Sequence, residues 1–187
     1  MVGGALAALA VAACSGSTAN DARSLDTTNI AANIAVSSPQ FTNNGAIPRA
    51  NTCDGTGTPP ALLWHRVPAV AKSVAVVVDD PDAPRGPFVH WIVIGLQPRD
   101  GSLPASGPDV HQLDNTGGTR GWAPPCPPAG AAHHYRFTVY ALRDYVCASD
   151  PDSSSGPGCA EPSAAEALNQ IRDAAIAKGT LIGTYQR

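Results

Sequence analysis

Asp79, Asp80 and Asp82 stand shortly before His90, and His133 stands two residues before Tyr135. A carboxylate beside an imidazole fixes the ring tautomer or favours its charged form. Imidazole N–H and phenol O–H groups together make directed donors suited to a phosphate or a carboxylate. The same side-chain types could serve a hydrolase or hold zinc. The hydrolase lacks its nucleophile: there is no G-x-S-x-G, and no serine stands beside His90 or His133. A zinc site from Asp80, His90 and His133 would lack the helical ligand spacings of zinc enzymes. A plainer alternative makes His90 a satisfied core histidine and the aspartates turn formers.

The elements that must position these residues can be read on either side of them. Val74–Val78 and Phe88–Ile94 are apolar, β-branched runs of strand composition. Between them Pro81, Pro84 and Pro87, with Arg85, exclude a helix and make a rigid loop that aims Asp80 and Asp82. Strand alternation predicts that Phe88, His90 and Ile92 share one face and Val89, Trp91 and Val93 the other. An imidazole inside an apolar strand needs a partner, and Asp80 or Asp82 is nearest in sequence. Gly117–Leu142 repeats the design, a Pro/Gly-rich loop feeding a β-type run. There His133 and Tyr135 point to one face and His134 to the other.

The chain opens with Met1–Ala13, an apolar stretch ending in V-A-A-C, too short to span a bilayer as a helix. It has the form of a bacterial lipoprotein signal, with Cys14 as the acylated residue, although no Lys or Arg precedes that cysteine. Ser15–Asn29 is polar and suits a tether, so residues 14–29 are expected to link the lipid to a domain over residues 30–187. Twelve Lys and Arg against 15 Asp and Glu give a formal net charge of −3, which argues against a nucleic-acid or anionic-membrane surface. Abundant Pro and Gly between short apolar runs predict one mainly β domain with long loops. Strands are expected at Ile34–Val36, Ala61–Trp64, Val74–Val78, Val89–Ile94, Tyr135–Leu142 and Leu181–Tyr185. One helix is expected after Pro162: Ser163 and Glu166 form a capping box, Leu168, Ile171 and Ala175 an apolar stripe, and Lys178 and Gly179 the end.

The sequence resembles the phosphatidylethanolamine-binding proteins, a family that includes the Raf kinase inhibitor protein, and in particular their bacterial branch. The resemblance rests on D-P-D-A-P (Asp80–Pro84), F-V-H-W (Phe88–Trp91) and P-P-x-G-x-x-H-x-Y-x-F-x-x-Y-A-L (Pro127–Leu142). Weaker matches are Ser38–Phe41, Ile47–Pro48, Cys53–Gly55, Leu62–Trp64 and Leu181–Tyr185. The resemblance implies two packed antiparallel sheets with a peripheral C-terminal helix. It also implies a site for a phospholipid head group or small anion lined by Asp80, His90, His133 and Tyr135. Asp82, Pro84 and Trp122 would support or wall that site, and the Ala83–Pro84 bond would be cis. No cofactor or metal is implied. One departure stands out: Trp122, Ala123, Pro124 and Pro125 occupy the place of the family's Tyr-x-Gly-Pro, so ligand shape is expected to differ. His134 stands where many relatives have arginine.

With Cys14 set aside, Cys53, Cys126, Cys147 and Cys159 remain, an even number that suits an oxidising compartment. Three pairings are possible. The favoured one joins Cys147 to Cys159 across a short Ser/Gly/Pro loop and Cys53 to Cys126 across the two loops of the resemblance. No cysteine-enzyme signature surrounds Cys126. Together these readings describe a non-enzymatic, lipid-anchored binding protein outside the cytoplasm, where the kinase partners of eukaryotic relatives are out of reach. Inhibition or regulation of a protein partner through the pocket rim is the other use to which relatives put the fold.

Overall fold

The computed structural model describes Met1 and residues 30–104, 110–148 and 159–187. Residues 2–13 of the leader, Cys14, the tether Ser15–Asn29 and the Asp150–Gly158 loop lie outside the described residues. The elements run β1 (Ala31–Ala32), β2 (Ala35–Ser37), β3 (Gly45–Ala46), a 3-10 turn at Arg49–Asn51, β4 (Leu62–His65) and β5 (Ser73–Asp80). They continue with β6 (Phe88–Leu96), β7 (Gly101–Leu103), β8 (His111–Gln112), β9 (His133–Leu142), α1 (Ala164–Ala174) and β10 (Ala175–Tyr185). The larger sheet has the order β1-β10-β9-β5-β6-β8, with β3 also on β10, and the smaller has β2-β4-β7. The long ladders are antiparallel, while the two-residue strands β1 and β3 join β10 in parallel.

Every residue of β5 is buried, which explains its unbroken apolar run: both faces of the larger sheet are covered. On one face Val74, Val76, Val78, Phe137 and Val139 pack with Leu62, Trp64 and Leu103 of the smaller sheet. On the other, Ala75, Val77, Ile92 and Ile94 pack with Ala167, Ile171 and Ala174 of α1. Burial of each such valine or isoleucine contributes about 1.5–3 kcal/mol before the entropic cost of ordering.

The helix begins as expected. Ser163 accepts from the Glu166 N–H, and the Glu166 carboxylate accepts from the Ser163 N–H at 2.9 Å. It ends four residues before the expected stop, and its buried stripe is Ala167, Ile171 and Ala174. Ala175 turns extended, and the chain from there to Tyr185 pairs with β9, Ala175 with Leu142 through Tyr185 with His133. The ladder outweighs helix propensity here. Gly179 serves that ladder: a Cβ there would lie 2.0 Å from the Ile34 carbonyl oxygen, so only glycine admits the segment entering β2.

A β-bulge lies near the start of β6. Val78 pairs with Trp91 but Asp79 pairs with Val89, leaving His90 as the extra residue. The expected alternation therefore fails. Trp91 and Val93 join the core between the sheets, while Ile92 and Ile94, with Val89 beside them, face the helix. His90 lies on the side of Phe88 and Tyr135, with ring centroids 4.6 and 5.2 Å away.

Candidate functional site

The pairing of β5 with β9 brings the first motif to the second. Asp79 lies opposite Arg136, and the two form an ion pair through Arg136 Nε (3.1 Å) and Nη2. One residue further, Asp80 turns to the other face. Its Oδ2 accepts from His133 Nδ1 at 2.7 Å, and its Oδ1 accepts from the Asp82 N–H at 2.8 Å. Both side chains are largely buried, Asp80 at 5% exposure and His133 at 12%. Asp80 is thus the partner of His133, not of His90, because β5 presents this carboxylate toward β9. His133 Nε2 has no hydrogen-bond partner among the described residues.

His90 finds its partner in the backbone. Its Nδ1–H donates to the Ala123 carbonyl at 2.7 Å, and the Ala123 N–H donates to the His90 carbonyl at 2.8 Å. This two-bond clamp carries Trp122 with it, and the indole stands against His90 and Trp91 at centroid distances of 6.3 and 5.5 Å. No spacing rule points to Ala123, since its contribution is a main-chain oxygen.

Burial holds the His90 pKa below its ordinary value of 6.5, opposed by the bond to Ala123 and by Asp80 and Asp79. Between the depressed value and 6.5 the unfolded chain binds more protons at this residue than the folded one. The contribution is therefore present above about pH 6.5 and is lost as the pH falls below it. Unfolding midpoints of the parent and of His90→Gln should accordingly converge from pH 7.5 down to pH 5. A constant difference across that range would show that His90 takes up no proton between the two states.

Tyr135 is fully buried, and among the described residues its hydroxyl and the buried Trp122 indole N–H have no hydrogen-bond partner. Burial, together with the carboxylates of Asp80 and Asp82, pushes the Tyr135 pKa up, so the phenol keeps its proton and is a donor. Orphaned donors at this depth call for an explanation, and a ligand is one. Asp82 does not face these groups: its Oδ2 accepts from the His134 N–H and Nδ1, each at 2.8 Å, in an exposed pair. That pair holds the Asp82 carboxyl below the ordinary carboxylate range, and His134 is exposed where Tyr135 is buried, as strand alternation requires. Pro84 lies in the exposed turn, bridged to Gly86. The Ala83–Pro84 bond is not cis; the cis bond among the described residues is Leu103–Pro104. The turn closes by another route, a bond from the Gly86 N–H to the Ala83 carbonyl (3.1 Å) with Gly86 at φ 97°.

Comparison with known proteins decides the family. Residues 37–186 match the family model described as phosphatidylethanolamine-binding protein. The chain belongs to the phosphatidylethanolamine-binding protein family. A Mycobacterium tuberculosis relative named "Putative lipoprotein LppC" is 40% identical over 159 residues, covering 82% of this chain and 72% of that one. A protein from Methanothermobacter thermautotrophicus is 36% identical, covering 79% of this chain and 95% of its own. Among solved structures, a chain described as a phosphatidylethanolamine-binding protein homolog from Chlamydia trachomatis superposes with TM-score 0.68 at 34% identity, covering 82% of this chain and 97% of its own. E. coli YbcL, described as a new member of the mammalian family, superposes with TM-score 0.69 at 28% identity, covering 83% and 99%.

Membership in the phosphatidylethanolamine-binding family implies, in general terms, a binding protein for an anionic or phospholipid ligand. Within that frame this chain's departures have structural reasons. The Pro124 ring sits where a Cβ on Gly57 would fall, 2.9 Å away, so the loop carrying Trp122 packs on the Cys53–Thr58 loop. The Cys53–Cys126 disulfide and a bond from the Cys53 N–H to the Pro125 carbonyl (3.1 Å) join the same two loops, and Cys147 bonds Cys159. Asp54, which motif matching left without a role, accepts from the Tyr185 hydroxyl at 2.7 Å and from Arg187 at 3.1 Å. Those contacts, Tyr185 first, hold its carboxyl below the ordinary range. Among the described residues no three His, Cys, Asp or Glu side chains converge as metal ligands, and neither His90 nor His133 bonds a serine, threonine or cysteine side chain.

Proposed function

We propose that this chain is a non-enzymatic receptor for small phosphorylated or anionic ligands, of the kind represented by the phosphoethanolamine head group and phosphate itself. The observation that carries the reading is the fully buried, unpartnered hydroxyl of Tyr135, set beside His90 and two residues from an imidazole oriented by Asp80. Asp80, His90, His133 and Tyr135 form the site; Trp122 walls it, Asp82 braces Asp80 through its N–H, and Pro84 stiffens the turn. Supporting the non-enzymatic reading, both histidines bond only Ala123 and Asp80 among the described residues, and Cys126 lies in a disulfide. Titration of phosphoethanolamine, phosphate and a short-chain phosphatidylethanolamine into the protein should show saturable binding with no release of product. Absence of binding for all three would overturn the reading.

The same proposal places the protein outside the cytoplasm, held to the membrane by acylation at Cys14 after removal of residues 1–13, with residues 14–29 as tether. Its support is the lipobox-like V-A-A-C, the lipoprotein name of a 40% identical relative and two disulfides. No helix among the described residues is long and apolar enough to cross a membrane. Cys14→Ser should move the protein from the membrane fraction to the soluble fraction; a variant that stays with the membrane would defeat the anchor. Regulation of a protein partner through the rim is the further use that the family resemblance supports.

A further inference from the structure

The proton on His90 can be located from its partner alone. A carbonyl oxygen only accepts, so the bond to Ala123 puts the ring hydrogen on Nδ1. The reciprocal bond from the Ala123 N–H locks the ring in place. His90 is 6% exposed, and burial favours the neutral form. In that form Nε2, with no partner among the described residues, carries a lone pair. The groups that act on the His90 ring are Asp79 and Asp80 from β5 and His133 from β9 through their charge, and Tyr135 from β9, Phe88 on its own strand and Trp122 from the loop through ring contacts. The Tyr135 hydroxyl, protonated and unpartnered among the described residues, is a donor on a ring whose centroid lies 5.2 Å from that of His90.

A pocket that offers an acceptor as well as a donor is a poor match for a fully deprotonated anion, whose oxygens would face the Nε2 lone pair. It matches a tetrahedral head that offers both an oxyanion and a hydroxyl. Resting on the anion-site reading above, we propose that His90 Nε2 accepts a hydrogen bond from the ligand. On this basis the pocket selects the hydrogen-phosphate group of a phosphate monoester over sulfate and over phosphodiesters. Sulfate carries no hydrogen at neutral pH, and a diester has replaced it with carbon. A site built to pair with a hydroxyl rejects analogues that lack it, because its own polar group is left unpaired.

The test compares methyl phosphate, dimethyl phosphate and sulfate, titrated into the full chain at pH 6. At that pH about half of a phosphate monoester carries its last proton, and its monoanion differs from dimethyl phosphate only in P–OH against P–OCH3. Methyl phosphate should bind about tenfold tighter than either competitor, or better. In the same titration the 15N resonance of His90 Nε2 should start as a lone-pair nitrogen and shift on binding. His90→Leu should collapse the preference, while Tyr135→Phe should weaken the ligands together and keep their order; the parent's ratio and the nitrogen resonance decide the matter even if His90→Leu does not fold. Equal affinities with an unmoved Nε2 resonance would overturn the inference and leave the anion site standing. Failure of all three ligands and of phosphoethanolamine to bind would overturn both. A preference that disappears in Tyr135→Phe would place the acceptor at Tyr135 and also overturn it.

Discussion

His133→Ala should weaken phosphoethanolamine binding by about 100-fold, measured by calorimetric titration. Two losses add. The ligand loses a charge-assisted donor worth about 1.5–3 kcal/mol, and each 1.4 kcal/mol is about tenfold in affinity. Asp80, 5% exposed, also loses the imidazole that accompanies its carboxylate and keeps only the Asp82 N–H as a donor. Its charge then faces the incoming anion. The second loss gives the experiment its internal check: Asp80→Asn in the His133→Ala background removes that charge and should recover part of the affinity. A double variant no better than the single one would mean that the carboxylate does not face the ligand. The single variant should also unfold more readily, by about 1–3 kcal/mol, because a buried charge has lost a partner.

Most of the architecture was legible because its signals are local. The β-branched runs of β5, β6 and β9 announce themselves, and the capping box at Ser163 marks the helix start in sequence as in structure. What was hidden depends on contacts between distant segments. The helix stops at Ala174 because residues 175–185 have a ladder waiting on β9, which no window around Lys178 can reveal. The assignment of His90 to the face of Ile92 fails because β-bulges are set by pairing, and a one-residue surplus shows only when two strands are aligned. His133 and Tyr135 were correctly placed together because no bulge interrupts β9 between them. The partner of His90 was illegible for a different reason. Any residue can offer a carbonyl, so Ala123 leaves no trace in side-chain chemistry. The Asp80–His133 pair was legible only as a set of reactive types at two loop-to-strand junctions, with the choice between histidines left to topology.

Cys53→Ala/Cys126→Ala should lower the unfolding midpoint by about 10 °C or more in calorimetry. The bond closes a loop of 73 residues, for which loop entropy alone contributes about 4 kcal/mol, and a domain of this size shifts by about 2–4 °C per kcal/mol. Cys147–Cys159, with a separation of only 12, contributes about 3 kcal/mol on the same basis. The longer bridge has a second consequence that the shorter does not. It anchors the strip Trp122–Cys126, whose Ala123 carbonyl holds the Nδ1–H of His90. Loosening the strip therefore frees the imidazole as well as the chain. Below its midpoint the folded double variant should bind phosphoethanolamine more weakly than the parent, whereas Cys147→Ala/Cys159→Ala should lose stability alone. Equal ligand affinity in the two disulfide variants would show that the backbone clamp at His90, with the Pro124–Gly57 contact behind it, holds the loop without the covalent bond.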